Sequence, residues 1–90
     1  MRYNEAVIRL SEIADQMQGH ADAANRASFT YAAHMTLYNV ATDAFDEKGM
    51  ELNRDTLHTT LDIILDSGAM LSQLRKEQRR IATSVTDFPR

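Results

Sequence analysis

The residues of this chain that could do chemistry are its histidines, its carboxylates and one run of basic side chains. His20, His34 and His58 are far apart in the sequence, and none belongs to an HExxH or ExxH pattern that would bring metal ligands together on a helix. We therefore expect no metal site and assign the histidines structural or surface positions. Of the three, His34 flanks a stripe of tyrosines and is expected to be partly buried.

Nucleophilic catalysis has little support in the sequence. The chain has no cysteine, no glycine-rich phosphate loop and no Ser/His/Asp grouping with the spacing of a nucleophile and its base. The carboxylates of Asp55, Asp62 and Asp66 have the spacing of a solvated helix face, although the same row would also suit a basic partner. We therefore expect that the protein is not an enzyme and uses no cofactor.

Concentrated positive charge occurs once in the chain. Four of the ten basic side chains fall within six positions, namely Arg75, Lys76, Arg79 and Arg80. On a helix they would form a broad positive end that suits the phosphates of a nucleic acid or an acidic protein partner. Basic residues in the last turn of a helix also complement its dipole, so the cluster has a structural explanation as well. A helix-turn-helix centred on Gly49 is excluded, because Asp55 would stand where its second helix needs an apolar residue.

The helices that would position these residues are indicated by an apolar ladder with a period of seven. From Tyr3 to Leu52 every seventh residue is apolar, which is typical of helices packed along their lengths. A first helix is predicted over residues 4–18, with Asn4 as its N-cap and a break at Gly19-His20.

A second helix is predicted over residues 22–47. Residues 27–42 include no Asp, Glu, Lys or Arg, although 26% of the sequence is charged. This helix would be apolar on two opposite faces. One face holds Ala24, Ala27, Tyr31, Met35, Tyr38 and Phe45, and the other holds Phe29, Ala33, Leu37, Val40 and Ala44. Because a short chain can hardly cover both faces, we expect one of them to be covered by a partner chain in a homodimer. The residues expected at this interface are Ala24, Ala27, Tyr31, Met35, Tyr38, Phe45, Phe29, Leu37 and Val40.

A third helix is predicted over residues 54–82. Asn53 has the preference of an N-cap, and Leu52 and Leu57 hold the two positions of a hydrophobic staple. Residues 66–68 could divide this helix in two, but the apolar stripe keeps its phase across them and favours continuity.

Together these elements predict an all-α fold. It would be a small antiparallel bundle of three helices, or four if the third is divided, in one domain over residues 1–82 with an irregular tail over 83–90. The chain has a net charge of -3, no cysteine and no apolar run of signal-peptide or membrane-spanning type. These features favour a cytoplasmic protein that is not inserted in a membrane.

The function expected from these features is binding rather than catalysis. The leading hypothesis is a non-enzymatic protein-interaction module, a small regulator, adaptor or inhibitor that works as a homodimer and binds a protein partner. The alternative is a small dimeric DNA-binding or nucleoid-associated transcriptional regulator that uses the basic cluster. A third hypothesis is a helical pocket for a small apolar ligand between Tyr31, Tyr38 and Leu57.

Overall fold

The backbone forms two long helices joined by a short turn. In a computed structural model that describes residues 1–89, α1 comprises Tyr3–Asp43 and α2 comprises Glu47–Ser84. The two helices run antiparallel as a hairpin that measures 68 × 14 × 14 Å. Within the described residues, neither helix contains an apolar stretch long enough to cross a bilayer.

The all-α prediction is correct, but the predicted bundle of three or four helices is wrong. α1 passes through the predicted break at Gly19 and unites the helices predicted over 4–18 and 22–47. A glycine inside a helix costs about 1 kcal/mol relative to alanine. Ile13 and Ala27, on either side of Gly19, are 0% and 6% exposed against α2. Packing on both sides therefore outweighs the cost of the glycine, and the helix continues.

α2 begins well before the helix start predicted at Arg54. Its N-cap is Asp46, whose Oδ1 accepts a hydrogen bond from the N–H of Gly49 at 3.0 Å. Asn53, the predicted N-cap, lies inside the helix and is 7% exposed. Leu52, one half of the predicted staple, is 72% exposed. The prediction was wrong because Asp46 supplies the cap earlier in the chain.

The turn between the helices holds one residue in an unusual conformation. Phe45 has a φ angle of 54°, in the left-handed region that bulky residues rarely adopt. The N–H of Asp46 closes the turn by donating to the carbonyl of Ala41 at 2.8 Å. A Cβ at Gly49 would lie 2.6 Å from Oδ2 of Asp46 and 3.0 Å from the Cβ of Ala41. Gly49 therefore permits the close approach of α1 and α2 at the turn.

The helices meet along two rows of residues with a period of seven. The α1 core row is Ala6, Ile13, His20, Ala27, His34 and Ala41, in which only the two histidines are half-buried rather than buried. The α2 core row is Asn53, Thr60, Ser67, Leu74 and Ile81, all of them buried. This spacing is the geometry of a two-stranded coiled coil. These two rows are apolar near the chain ends and small or polar near the turn.

α2 is continuous through residues 66–68, as the unbroken apolar stripe predicts, and it ends at Ser84. The irregular tail predicted over 83–90 therefore begins slightly later, with residues 85–89 outside any helix. Residue 90 of that prediction lies outside the described residues.

The tail folds back on the start of α1. Oδ1 of Asp87 accepts a hydrogen bond from the N–H of Tyr3 at 2.7 Å. The ring of Phe88 meets the ring of Tyr3 edge-on, with 6.0 Å between the ring centroids. Asp87 thus caps a free N–H group at the start of α1. The sequence predicted this capping role for Asn4. Asn4 itself lies inside the first turn of α1.

Candidate interaction surfaces

The first apolar face predicted for the second helix is largely used within the chain. Ala27 is 6% exposed, and four further members of this face are half-buried beside it: Ala24, Tyr31, Met35 and Tyr38. Phe45 departs from the face because it lies in the turn, where it is 90% exposed. Most of this face is therefore covered by α2 of the same chain.

The second predicted face of α1 is open. Phe29 is 80% exposed, Leu37 53% and Val40 60%, and Ala33 and Ala44 are exposed as well. The hairpin thus covers one apolar face of α1 and leaves the other without a neighbour among the described residues.

The open face continues into a longer apolar surface shared by both helices. An ion pair between Nη2 of Arg9 and Oε1 of Glu77, 2.7 Å apart, marks one side of the hairpin. Every seventh residue counted from Arg9 or from Glu77 towards the turn lies on the same side of the hairpin, and all of these residues are uncharged. They are Gln16, Ala23, Thr30, Leu37 and Ala44 on α1, and Met70, Ile63, Thr56 and Gly49 on α2. We call these residues the uncharged side.

One basic and one acidic residue border the uncharged side near its middle. Arg26 lies three residues after Ala23 and Asp66 lies three residues after Ile63, so both adjoin the uncharged side on the helix surface. Both are exposed. Because their charges are opposite, the surface is close to neutral as well as apolar.

A groove of about 320 Å³ lies on the other side of the hairpin. Its walls are formed by Tyr31, Met35 and Tyr38 of α1 and by Arg54, Leu57, His58 and Leu61 of α2, and we call it the tyrosine groove. Tyr31 follows the buried Ala27 by four residues, whereas Thr30 of the uncharged side follows it by three. The groove and the uncharged side therefore flank the core rows on opposite sides. The groove brings together Tyr31, Tyr38 and Leu57, the three residues of the pocket hypothesis.

A fixed positive charge lies at the tyrosine groove. The guanidinium carbon of Arg54 is 6.0 Å from the ring centroid of Tyr38, within the range of a cation–π interaction. The proximity of Tyr38 is the main cause that raises the pKa of Arg54, and the nearby carboxylates of Glu51 and Asp55 raise it further. The groove therefore combines an apolar aromatic wall with one permanent cation.

The predicted basic cluster is exposed on α2. Its members are Arg75, Lys76, Arg79 and Arg80. Within residues 1–89 the salt bridges join Arg9 to Glu12 and to Glu77, so the cluster takes part in none of them. The last turn of α2 contains no basic residue, because the helix continues to Ser84. The dipole explanation is weakened by this extension, since the effect of the dipole is confined to the last turn.

His34 is half-buried in the α1 core row, consistent with its predicted position. Its Nδ1 lies 2.8 Å from Oδ1 of Asn53, whose Nδ2 donates a hydrogen bond to the carbonyl of Gly49 at 2.7 Å. Sequence reasoning missed this pair. His34 lies seven residues after Ala27 and Asn53 seven residues before Thr60, but these rows are recognised as core only from the burial of Ala27 and Thr60 in the structure.

The remaining polar candidates do not converge. His20 is half-buried, His58 is exposed at the tyrosine groove, and the three aspartates of the acidic row are exposed on α2. In the part of the chain that the structure describes, no three His, Asp or Glu side chains come together as metal ligands.

Comparison with known proteins adds no relative to these observations. No protein-family model, curated protein or solved structure matches this chain.

Proposed function

We propose that the protein is a cytoplasmic, non-enzymatic protein-interaction module that acts by binding, as a homodimer of hairpins. The observation that carries the proposal is the exposure of the uncharged side. Leu37 and the adjoining Val40 are 53% and 60% exposed, and Ile63 and Met70 on α2 are 41% and 40% exposed. Contiguous apolar surface of this kind typically marks a protein interface.

The accessible area of the chain supports this proposal. The hairpin exposes 6838 Å². A compact monomer of 10.2 kDa would expose about 5,300 Å² by the usual scaling of surface with mass. The excess of about 1,500 Å² is larger than the roughly 800 Å² per partner that a standard interface buries. A second chain on one side of the hairpin would therefore remove a typical interface area and still leave other surface for a regulatory target.

The charges that border the uncharged side favour a second copy as the occupant. A two-fold interface uses the same patch on both subunits, so the patch must be complementary to itself. Arg26 and Asp66 give the border one charge of each sign, which satisfies this condition. A strongly basic or acidic partner would gain no net attraction from such a border.

Sedimentation equilibrium of the full chain at micromolar concentration tests the proposal. We expect a dimer for the wild type and a monomer for Leu37→Glu, because the dimer would bury the new carboxylate without a partner. Asn39→Glu is the matched control, since Asn39 is exposed on the outer surface of α1 and the substitution adds the same charge. A monomeric wild type, or a Leu37→Glu variant that stays dimeric, would refute self-association through this side.

Nucleic-acid binding is a second candidate function, and the four exposed cations of the basic cluster support it. A homodimer would present two such clusters. Phosphate contacts release counterions, so affinity for duplex DNA would fall steeply as salt is added. Absence of salt-sensitive DNA binding by the wild-type chain would remove this candidate.

A further inference from the structure

The tyrosine groove has the chemistry of a small-molecule site, and it is independent of the proposed dimer surface. Its volume of about 320 Å³ lies at the small end of the range for ligand pockets. Because the groove and the uncharged side lie on opposite flanks of the core rows, a second copy on the uncharged side would leave the groove open.

The groove walls favour a flat, apolar ligand body. Tyr31 and Tyr38 are half-buried and line the groove together with Leu57, which is 8% exposed. Aromatic rings stack on tyrosine, or meet it edge to face, more favourably than their buried area alone would indicate.

The positive charge of Arg54 at the tyrosine groove favours a ligand with a negatively charged group. Arg54 contributes a planar guanidinium, which matches the two oxygens of a carboxylate. Glu51, three residues before Arg54 on α2, and the adjacent Asp55 place negative charge beside the guanidinium, which disfavours a multiply charged anion such as phosphate more strongly than a single carboxylate. We propose that the tyrosine groove binds a small aromatic monocarboxylate, with its carboxylate on Arg54 and its ring against Tyr31 and Tyr38.

Titration of the full chain with 1-naphthoate, followed by backbone amide NMR shifts, tests this inference. The matched neutral probe is 1-naphthalenemethanol, which keeps the ring system and lacks the carboxylate. We expect saturable shifts centred on Tyr31, Tyr38 and Leu57, and binding of the neutral probe about tenfold weaker, because the charge-assisted hydrogen bonds to Arg54 are lost.

Variants separate the contribution of Arg54 from general apolar binding. Arg54→Gln should weaken the binding of 1-naphthoate to the affinity of the neutral probe. Lys48→Gln, which removes an exposed cation of the same helix, should change the affinity of neither probe. Equal binding of the two probes by the wild type, shifts centred elsewhere, or no saturation would each overturn the proposal. If dilution of the monomeric Leu37→Glu variant alone moves the groove amides, the groove is a self-association surface and the ligand proposal fails.

Discussion

Nδ1 of His34 lies 2.8 Å from Oδ1 of Asn53, and this hydrogen bond joins α1 to α2 in the polar half of the core. Because Nδ2 of Asn53 donates to the carbonyl of Gly49, Oδ1 is the acceptor and Nδ1 of His34 is the donor. Asn53 is 7% exposed, so its side-chain amide depends on His34 and on the carbonyl of Gly49 for its hydrogen bonds. A specific polar pair in a coiled-coil core fixes the register of the helices.

A double-mutant cycle of His34→Ala and Asn53→Ala measures this coupling. We expect a coupling energy of about 1 kcal/mol in the free energy of unfolding, the net value of an ordinary protein hydrogen bond. Urea unfolding followed by circular dichroism provides the measurement. A cycle with His58→Ala in place of His34→Ala is the control and should be additive, because His58 is exposed at the groove. Additivity in the first cycle would show that the pair contributes no coupling.

The glycines should respond in opposite ways to substitution by alanine. Gly49→Ala places a Cβ 3.0 Å from the Cβ of Ala41 and against the capping carboxylate of Asp46, so we expect a loss of about 1–3 kcal/mol in the free energy of unfolding. Gly19→Ala and Gly68→Ala place a Cβ where no atom lies within 4 Å. Each should gain about 0.5–1 kcal/mol from helix propensity. Thermal unfolding distinguishes the two outcomes, and a neutral Gly49→Ala would contradict the close approach at the turn.

Phe45 combines a φ of 54° with 90% exposure, so its side chain contributes strain and little packing within the chain. Phe45→Asn and Phe45→Gly should each raise the free energy of unfolding by about 0.5–1 kcal/mol, because Asn and Gly tolerate the left-handed region. Leu65→Asn is the control, since Leu65 is 61% exposed but lies within α2. That change should lower stability slightly. Destabilisation by both Phe45 variants would show that the ring makes stabilising contacts.

The basic cluster should control any salt-dependent DNA binding. Each phosphate contact contributes about 0.9 to the slope of log affinity against log salt concentration. Arg79→Gln combined with Arg80→Gln should therefore reduce the slope by about 2. Arg2→Gln combined with Lys48→Gln removes the same net charge elsewhere on the chain and should leave most of the slope intact. Equal effects of the two double variants, measured by fluorescence anisotropy, would show general charge attraction without a localised contact.

The seven-residue period of apolar residues predicted that helices pack along their lengths, and the structure contains such helices. The part of that row within α1, from Tyr3 to Tyr38, is nevertheless the half-buried flank of the core, and its last two members, Phe45 and Leu52, are exposed. The α1 core row lies three residues further on and consists mainly of alanine and histidine, which give a weak apolar signal. Small residues such as Ala27 form cores only when a second helix approaches closely, a property of the tertiary structure that one helix does not reveal.

The number of helices could not be predicted from the residues that commonly mark helix ends. Gly19 and Gly49 resemble helix ends, and Asn53 resembles a cap, because the same residue types serve both ends and interiors. Their role depends on what lies opposite them. At Asn53 the opposite residue is His34, far away in sequence, so the local signal favoured a helix start that the tertiary contact overrides.

The division of the core between apolar and polar halves also determines where the hairpin opens. Ile13, Leu74 and Ile81 form an apolar cluster at the end that holds the chain termini. Near the turn the core rows contain small and polar side chains such as Ala41 and Thr60, with Leu57 as the large apolar residue buried beside them. Local opening follows the regions with least buried apolar surface. Amide protons near the turn should therefore exchange with solvent sooner than those near the termini. The hairpin would then open locally at the turn, whereas chain termini are the ordinary place for fraying.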